Sequence, residues 1–178
     1  MVVNTIYKVK RSGNDKNPKL VILLLNPGGD PDYPKRLDEY GMDRDGLYKD
    51  SDMSLRYFRE YSKWWDDILF ITDKYVKDTD VLALESYPYH SRGGTGVPPY
   101  KEWDNYAKSA LEENVSILKE SIAKNIPIFI YYRSLWFGKA PELKTYANTN
   151  LNKSSQWRHK KLKELELWLQ NLKSQNKI

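Results

Sequence analysis

The 178-residue chain contains no cysteine, and its longest uninterrupted apolar run is the six residues from Leu20 to Leu25. The lack of cysteine excludes a disulfide scaffold, a thiolate metal site and a cysteine nucleophile. An apolar run this short does not span a membrane, and the N-terminus lacks the apolar core of a signal peptide. We therefore expect a soluble, cytoplasmic protein that has no membrane partner.

Other common catalytic signatures are also missing. The chain has only two histidines, His90 and His159, which are far apart in the sequence and form no metal-binding pair. No Gly-x-Ser-x-Gly nucleophile elbow occurs. The glycine-rich segment Gly93 to Gly96 is not followed by Gly-Lys-Ser or Gly-Lys-Thr, as a phosphate-binding loop would be. We expect no metal and no cofactor.

The length and the apolar pattern predict one α/β domain over residues 1–178. Runs typical of buried strands occur at 20–25, 80–84 and 127–132, and a shorter one at 143–147. Between them, apolar residues recur every three or four positions, which is typical of helices, at 57–69, 103–122 and 162–172. Strands separated by helices predict right-handed crossovers. The expected fold is a three-layer α/β/α sandwich around a central, mostly parallel four-stranded sheet.

Polar residues follow the predicted strands where each strand ends. Ligands of open α/β sheets bind beyond the carboxyl ends of the strands. The first strand is followed directly by Asn26, the second by Glu85 and the third by Arg133. Further candidates at the same edge are Pro27, Gly28, Gly29, Asp30, Tyr89, His90, Ser91, Asn148 and Asn150.

These candidates have structural alternatives. The sequence Asn-Pro-Gly-Gly is typical of a structural turn. Its small residues would also let a ligand approach the backbone closely. The sequence leaves three roles open for Glu85: a general base, a ligand for a hydroxyl group, or a carboxylate neutralised by Arg133 or Arg92. The sequence also leaves three roles open for His90: catalysis, contact with a phosphate, or a polar residue on the surface.

The positive charge is concentrated near the C-terminus. The formal net charge is +5, and residues 151–178 hold seven Lys or Arg against two acids. Such a segment either contacts nucleic-acid phosphates or forms a solvated helix face. The candidates for contact with a nucleic-acid backbone are Arg92, Lys153, Arg158, Lys160 and Lys161.

The end of the first strand, Leu25 to Gly28, resembles the first motif of the uracil-DNA glycosylase superfamily. One branch of that superfamily carries Gly-Ile-Asn-Pro-Gly there, and another carries Gly-Gln-Asp-Pro-Tyr. The following residues, Gly29 to Pro34, are similar to the second pattern with altered spacing. The resemblance implies a three-layer fold and removal of a base from DNA. It also implies that Asn26, or alternatively Asp30, orients or activates the attacking water, and that Tyr33 walls the base pocket.

The second motif of that superfamily differs in this chain. It usually resembles His-Pro-Ser-Pro, and its His hydrogen-bonds the base as negative charge develops. The matching segment here, Ala147 to Ser154, contains neither His nor Pro. By the resemblance, Asn148 or Asn150 and the backbone amides near Gly28 and Gly29 would support the leaving base instead, with weaker stabilisation.

Three functions remain open from the sequence. A glycosylase would flip a nucleotide out of DNA, stack the base on Tyr33 or Tyr89, and bind with salt-dependent affinity. A module of the same fold would bind a nucleic acid, a nucleotide or a protein without chemistry. A different hydrolase or transferase would act on a nucleoside or another small ligand, with Glu85 as base or nucleophile.

Overall fold

The structure is a computed structural model, and it describes residues 4–8, 11–25, 55, 63–90, 97–131, 134–146, 149–150 and 158–178. A five-stranded sheet with the order β2-β4-β3-β6-β7 lies at its centre. Its strands are β2 (Arg11–Gly13), β3 (Leu20–Leu24), β4 (Val81–Glu85), β6 (Ile128–Ile130) and β7 (Thr149–Asn150). The strands β1 (Asn4–Lys8) and β5 (Tyr89–His90) form a separate antiparallel pair.

The central sheet is mixed, which corrects the mostly parallel four-stranded sheet expected from the sequence. β3 pairs in parallel with β4 and β6, and β6 pairs in parallel with β7, but β2 pairs antiparallel with β4. The α/β class is confirmed. The sequence did not reveal β2 because a three-residue strand is too short to show an alternating pattern.

The predicted strands at 20–25, 80–84 and 127–132 are confirmed as β3, β4 and β6 with small shifts of their ends. The predicted strand at 143–147 is wrong. A 3₁₀ turn occupies Pro141–Lys144, and the strand that follows is β7. The turn buries the side chain of Leu143 completely in the core, which explains why an apolar residue occurs in this turn.

Four α-helices accompany the sheet in the described residues: α1 (Lys63–Thr72), α2 (Asn105–Ala123), α3 (Ser134–Lys139) and α4 (Arg158–Ser174). Shorter 3₁₀ turns occupy Asp78–Asp80 and Tyr100–Glu102. None of the described helices combines the length and the apolar character needed to cross a membrane. The helices predicted at 103–122 and 162–172 are confirmed as α2 and α4. The helix predicted at 57–69 is confirmed over its described part, in α1.

Helices cover both faces of the sheet. Residues of α1 and α4 pack with Leu20, Ile22 and Leu24 on one face of β3. Residues of α2 and α3 pack with Val21 and Leu23 on the other face. All five residues of β3 are buried, as expected for a central strand that is apolar throughout. This double burial fixes β3, and with it the place where its carboxyl end leaves the core.

Gly13, the last residue of β2, gives a first test of the fold. It has a φ of +88°, and a Cβ atom there would lie 2.1 Å from the backbone oxygen of Val81. We expect Gly13→Ala to lower the free energy of unfolding by about 2–4 kcal/mol, because backbone strain and a clash with the neighbouring strand add together. Urea denaturation measures this change.

Gly138 in α3 supplies the matched control. A Cβ atom at Gly138 meets no heavy atom within 4 Å. We expect Gly138→Ala to be neutral or stabilising, since alanine favours a helix over glycine by about 1 kcal/mol. Equal destabilisation by the two substitutions would contradict the packing of β2 against β4.

Candidate functional site

The carboxyl ends of β4, β3 and β6 lie side by side at one edge of the sheet. Glu85 pairs with Leu24 in the parallel register of β4 and β3. The amide of Tyr131, the residue after β6, donates to the Leu23 oxygen at 2.9 Å. We call Leu24, Leu25, Glu85 and Tyr131 the carboxyl edge. It is the edge at which α/β sheets bind ligands.

The end of β3 is held by hydrogen bonds from two neighbouring elements. Trp136 of α3 donates from Nε1 to the Leu24 oxygen at 2.7 Å. The Leu25 oxygen accepts from Oγ of Ser86 and from the amide of Tyr87, each at 2.8 Å. The backbone is therefore fixed up to the residue that directly precedes Asn26.

Glu85 is a buried carboxyl group at this edge, with 5% of the residue exposed. Val81 and Ala83 face α1 and α4, so the alternation of β4 directs Glu85 to the same face. Its Oε2 has no hydrogen-bond partner among the described residues. Burial raises the pKa of Glu85 well above its ordinary value of 4.5. The group therefore keeps its proton at a pH where an exposed glutamate has lost it.

Asn114 supports Glu85 from the opposite face of the sheet. Its Nδ2 donates to the backbone oxygen of Glu85 at 2.9 Å, and Asn114 is completely buried within α2. Asn114 is not among the residues predicted from the sequence. The available signal was an amide on the otherwise apolar face of the helix that includes Leu111 and Leu118.

A lysine and an aromatic pair lie at the β6 end of the carboxyl edge. Lys161 of α4 donates from Nζ to the Tyr131 oxygen at 2.6 Å, and Nζ lies 4.4 Å from the centre of the Tyr131 ring. Trp64 packs edge-on to the same ring at a centroid distance of 5.2 Å. Lys161 was predicted to contact phosphates. The structure shows that its ammonium group lies where a ligand of the sheet is expected.

Tyr89 was predicted as a stacking surface, and the structure buries it. The residue is 4% exposed, packs against Tyr87 at a ring distance of 5.3 Å, and donates its hydroxyl proton to the Asp104 carboxylate. Burial, followed by this hydrogen bond, raises the pKa of Tyr89. These contacts indicate a structural role for Tyr89 and argue against an open stacking surface.

Asp104 links this aromatic cluster to α2. Its Oδ1 accepts from the amide of Ala107 at 2.7 Å and caps the helix, and its Oδ2 accepts from Tyr89. We expect Asp104→Ala to lower the free energy of unfolding by about 2 kcal/mol, because a helix cap and the partner of a buried hydroxyl are lost together. Thermal unfolding tests this effect. Tyr89→Phe removes only the hydroxyl and should cost less, so a larger loss in Tyr89→Phe would contradict the assignment.

Four of the other predicted residues lie in described elements. His90 is in β5, Asn150 is in β7, and Arg158 and Lys160 are in the first turn of α4. The remaining candidates lie outside the described residues: Asn26, Pro27, Gly28, Gly29, Asp30, Tyr33, Ser91, Arg92, Arg133, Asn148 and Lys153. Neutralisation of Glu85 by Arg92 or Arg133 therefore stays a prediction. Within the described ranges, no His, Asp and Glu side chains cluster in a way that suits a metal ion.

The carboxyl edge combines three features: the buried carboxyl of Glu85, whose pKa burial raises, the ammonium group of Lys161, and a fixed strand end that leads into Asn26. A scan against models of known protein families found no match, and searches of curated proteins and of solved structures found none either. The functional conclusion therefore depends on these groups and on the sequence motif that follows β3.

Proposed function

We propose that the protein is a uracil-DNA glycosylase-like enzyme that hydrolyses the N-glycosidic bond of a flipped base in DNA. The observation that carries this proposal is that hydrogen bonds fix the end of β3. The Leu25 oxygen, directly before Asn26, accepts hydrogen bonds from Ser86 and Tyr87. A catalytic group has to hold water in a narrow range of positions to be effective. A buried strand with a fixed end supplies that rigidity.

We also propose that the fold is a three-layer α/β/α sandwich of the uracil-DNA glycosylase type. Two observations support this. The four strands β4, β3, β6 and β7 are neighbours and run parallel, and helices pack on both faces of β4, β3 and β6. In this fold β2 is an additional antiparallel strand at the sheet edge.

In the proposed reaction the target nucleotide leaves the duplex and enters at the carboxyl edge. Asn26 orients a water molecule toward the anomeric carbon, with Asp30 as the alternative, and Tyr33 walls the base pocket. The bond from that carbon to the base breaks as the water oxygen bonds to it. Backbone amides near Gly28 and Gly29 and the side chain of Asn148 or Asn150 support the departing base.

The start of α4 is the proposed contact with the DNA backbone. Lys161 lies at the carboxyl edge, so the helix begins beside the proposed site. Arg158 and Lys160 precede it in the same helix, and Arg92 and Lys153 add positive charge in the sequence. Phosphate contacts of this kind make affinity fall with increasing salt concentration.

The proposal is tested with single- and double-stranded oligonucleotides that carry uracil, hypoxanthine or a mismatch. The purified protein is incubated with each of them, abasic sites are cleaved with alkali, and binding is followed by gel shift at low salt. Strand scission supports the glycosylase. A gel shift without scission would instead identify the non-catalytic binding module, which the missing His between Ala147 and Ser154 favours.

A hydrolase or transferase of nucleosides or other small ligands is the second candidate. The observation that favours it is the buried carboxyl of Glu85 at the ligand-binding edge. Free nucleosides, assayed beside the oligonucleotides, separate the two candidates. Product from nucleosides without product from DNA would favour this second function.

A further inference from the structure

We propose that the outer face of α1 and α4 is a self-association surface, and that two copies of this chain pair across it with α1 of each copy on α4 of the other. The proposal goes beyond the glycosylase function and does not depend on it. It rests on two exposed apolar side chains and on the charges that flank them.

Two large apolar side chains are exposed on this face. Phe70 of α1 is 62% exposed, and Leu167 of α4 is 55% exposed. They are the exposed large apolar side chains of the part of the chain that the structure describes. Single residues of this kind are ordinary on protein surfaces, but two on neighbouring helices form a patch. Covering such a patch is favourable, because apolar area leaves water.

Both helices start at the carboxyl edge. Trp64 of α1 and Lys161 of α4 contact the same Tyr131 ring, with 5.2 Å between the ring centroids and 4.4 Å from Nζ to the ring centre. Phe70 follows Trp64 by six residues, and Leu167 follows Lys161 by six residues. If the helices run in the same direction, the two exposed side chains therefore lie at the same level, about 9 Å along each helix from its contact with Tyr131.

Contacts further along the two helices show that they do run in the same direction. Lys74, in the turn after α1, donates from Nζ to Oε1 of Glu166 at 2.7 Å, and the same Nζ lies 4.9 Å from the centre of the Phe70 ring. Nearer the end of α4, Nζ of Lys173 lies 5.8 Å from the centre of the Tyr75 ring. The contacts advance together along both helices, so the two apolar side chains form one patch.

Exposed charged and polar residues flank the two apolar side chains at matching positions. On each helix, one of them precedes the apolar residue by four positions and another follows it by three, so they share its side of the helix. On α1 both are aspartates, and on α4 they are a lysine and a glutamine. We call these six residues the α1–α4 face: Asp66, Phe70, Asp73, Lys163, Leu167 and Gln170.

The α1–α4 face is complementary to itself under one twofold rotation. An axis parallel to the helices lays α1 of one copy on α4 of the other, with both helices in the same direction. Phe70 then packs on Leu167 of the second copy, and Asp66 faces Lys163 of the second copy. Each of these contacts occurs twice. Both copies present their carboxyl edges at the same end of the pair, because both helices start there.

The other twofold arrangement brings like charges together. An axis perpendicular to the helices lays α1 on α1 of the second copy in the opposite direction, which sets Asp66 against Asp73. In the proposed arrangement Asp73 instead lies at the level of Gln170, whose amide group donates to a carboxylate. Like charges in opposition disfavour a complex, so the charges select the pairing of α1 with α4. A face that carries both signs at matching spacing fits a second copy better than a partner of one sign.

The first test follows self-association of the full chain by sedimentation velocity from micromolar to millimolar concentration. We expect wild type to change reversibly from monomer to dimer as its concentration rises. Phe70→Ala and Leu167→Ala should each raise the dissociation constant of the dimer at least about 10-fold, since each removes a central apolar contact twice. A wild-type chain that stays monomeric at every concentration would overturn the proposal.

Charge reversal tests which helices meet. Asp66→Lys and Lys163→Asp should each raise the dissociation constant about 10-fold or more, because two like-charge contacts replace two attractive ones. An equal mixture of the two variants should dimerise as well as wild type, since both contacts of the mixed pair again join opposite charges. Glu112→Lys, at an exposed position of α2, makes the same change of charge on the other side of the sheet and should leave association unchanged.

The mixture gives a result that a dimer through another surface would not give. If the two reversal variants stay monomeric when mixed, the pairing of α1 with α4 is wrong. If each of them alone associates like wild type, the α1–α4 face does not lie in the interface. Circular dichroism checks that the variants are folded. Where a reversal variant does not fold, Leu167→Ala decides, and unchanged association in that variant overturns the proposal.

Discussion

We expect Asn26→Ala to abolish release of the base and to leave the fold intact. This is the largest effect on activity that we expect, because Asn26 is the residue to which the proposed reaction assigns the attacking water. Removal of a positioned polar group of this kind lowers rates by roughly 10²- to 10⁴-fold. Asn26 follows the end of β3, where Trp136, Ser86 and Tyr87 hold the backbone. The measurement is single-turnover base release, with circular dichroism as the check on folding.

Two further variants sharpen this result. Asn171→Ala changes an exposed asparagine of α4 and should leave the rate unchanged. Asn26→Asp introduces the carboxylate that the second branch of the resembling family has in its first motif, so we expect it to keep measurable activity. Full activity in Asn26→Ala would show that Asn26 does not orient the water, and Asp30 would take its place in the proposal.

Trp136→Ala has the largest effect on stability that we expect. Trp136 is 1% exposed, and its Nε1 donates to the Leu24 oxygen. Replacing a buried aromatic residue by alanine costs about 3–5 kcal/mol in free energy of unfolding, because a cavity forms and contacts are lost. The variant also removes the shorter of two hydrogen bonds to the Leu24 oxygen, which keeps the Ser86 amide as a donor at 3.3 Å. Urea denaturation at constant temperature measures the change.

Trp136→Phe separates the hydrogen bond from the packing. Phenylalanine keeps most of the apolar contact but cannot donate, so we expect a smaller loss, of which the hydrogen bond accounts for about 1 kcal/mol. If the end of β3 positions Asn26, this variant should also release base more slowly at a temperature where it is fully folded. A loss below about 1 kcal/mol in Trp136→Ala would contradict the buried position of the indole.

The elements that the sequence predicted well are those with long, regular patterns. β3 is apolar throughout because it is buried on both faces, and α2 shows its apolar stripe over 19 residues. The strands β2 and β7, of three and two residues, are defined by pairing with neighbours rather than by any local pattern. The segment at 143–147 was misread because a buried turn and a short strand can carry the same apolar residues.

The sequence predicted only part of the candidate site, because it shows local patterns and does not show contacts between distant residues. Glu85 was identified because a charged residue at the end of an apolar strand is conspicuous in a sequence. Trp136 and Asn114 were not identified, since their roles depend on hydrogen bonds to strands that are 112 and 29 residues away. The place of Lys161 beside Tyr131 also depends on the packing of α4, which charge alone does not determine.

The most direct measurement of the proposed function is the mass of an oligonucleotide after incubation with the wild-type protein. The substrate carries a single hypoxanthine in double-stranded DNA, and a second one carries uracil in the same place. We expect an abasic strand of the calculated mass, together with an equal amount of free base, from at least one of the two substrates. Unchanged oligonucleotide masses at protein concentrations that shift the DNA would contradict a glycosylase at the carboxyl edge.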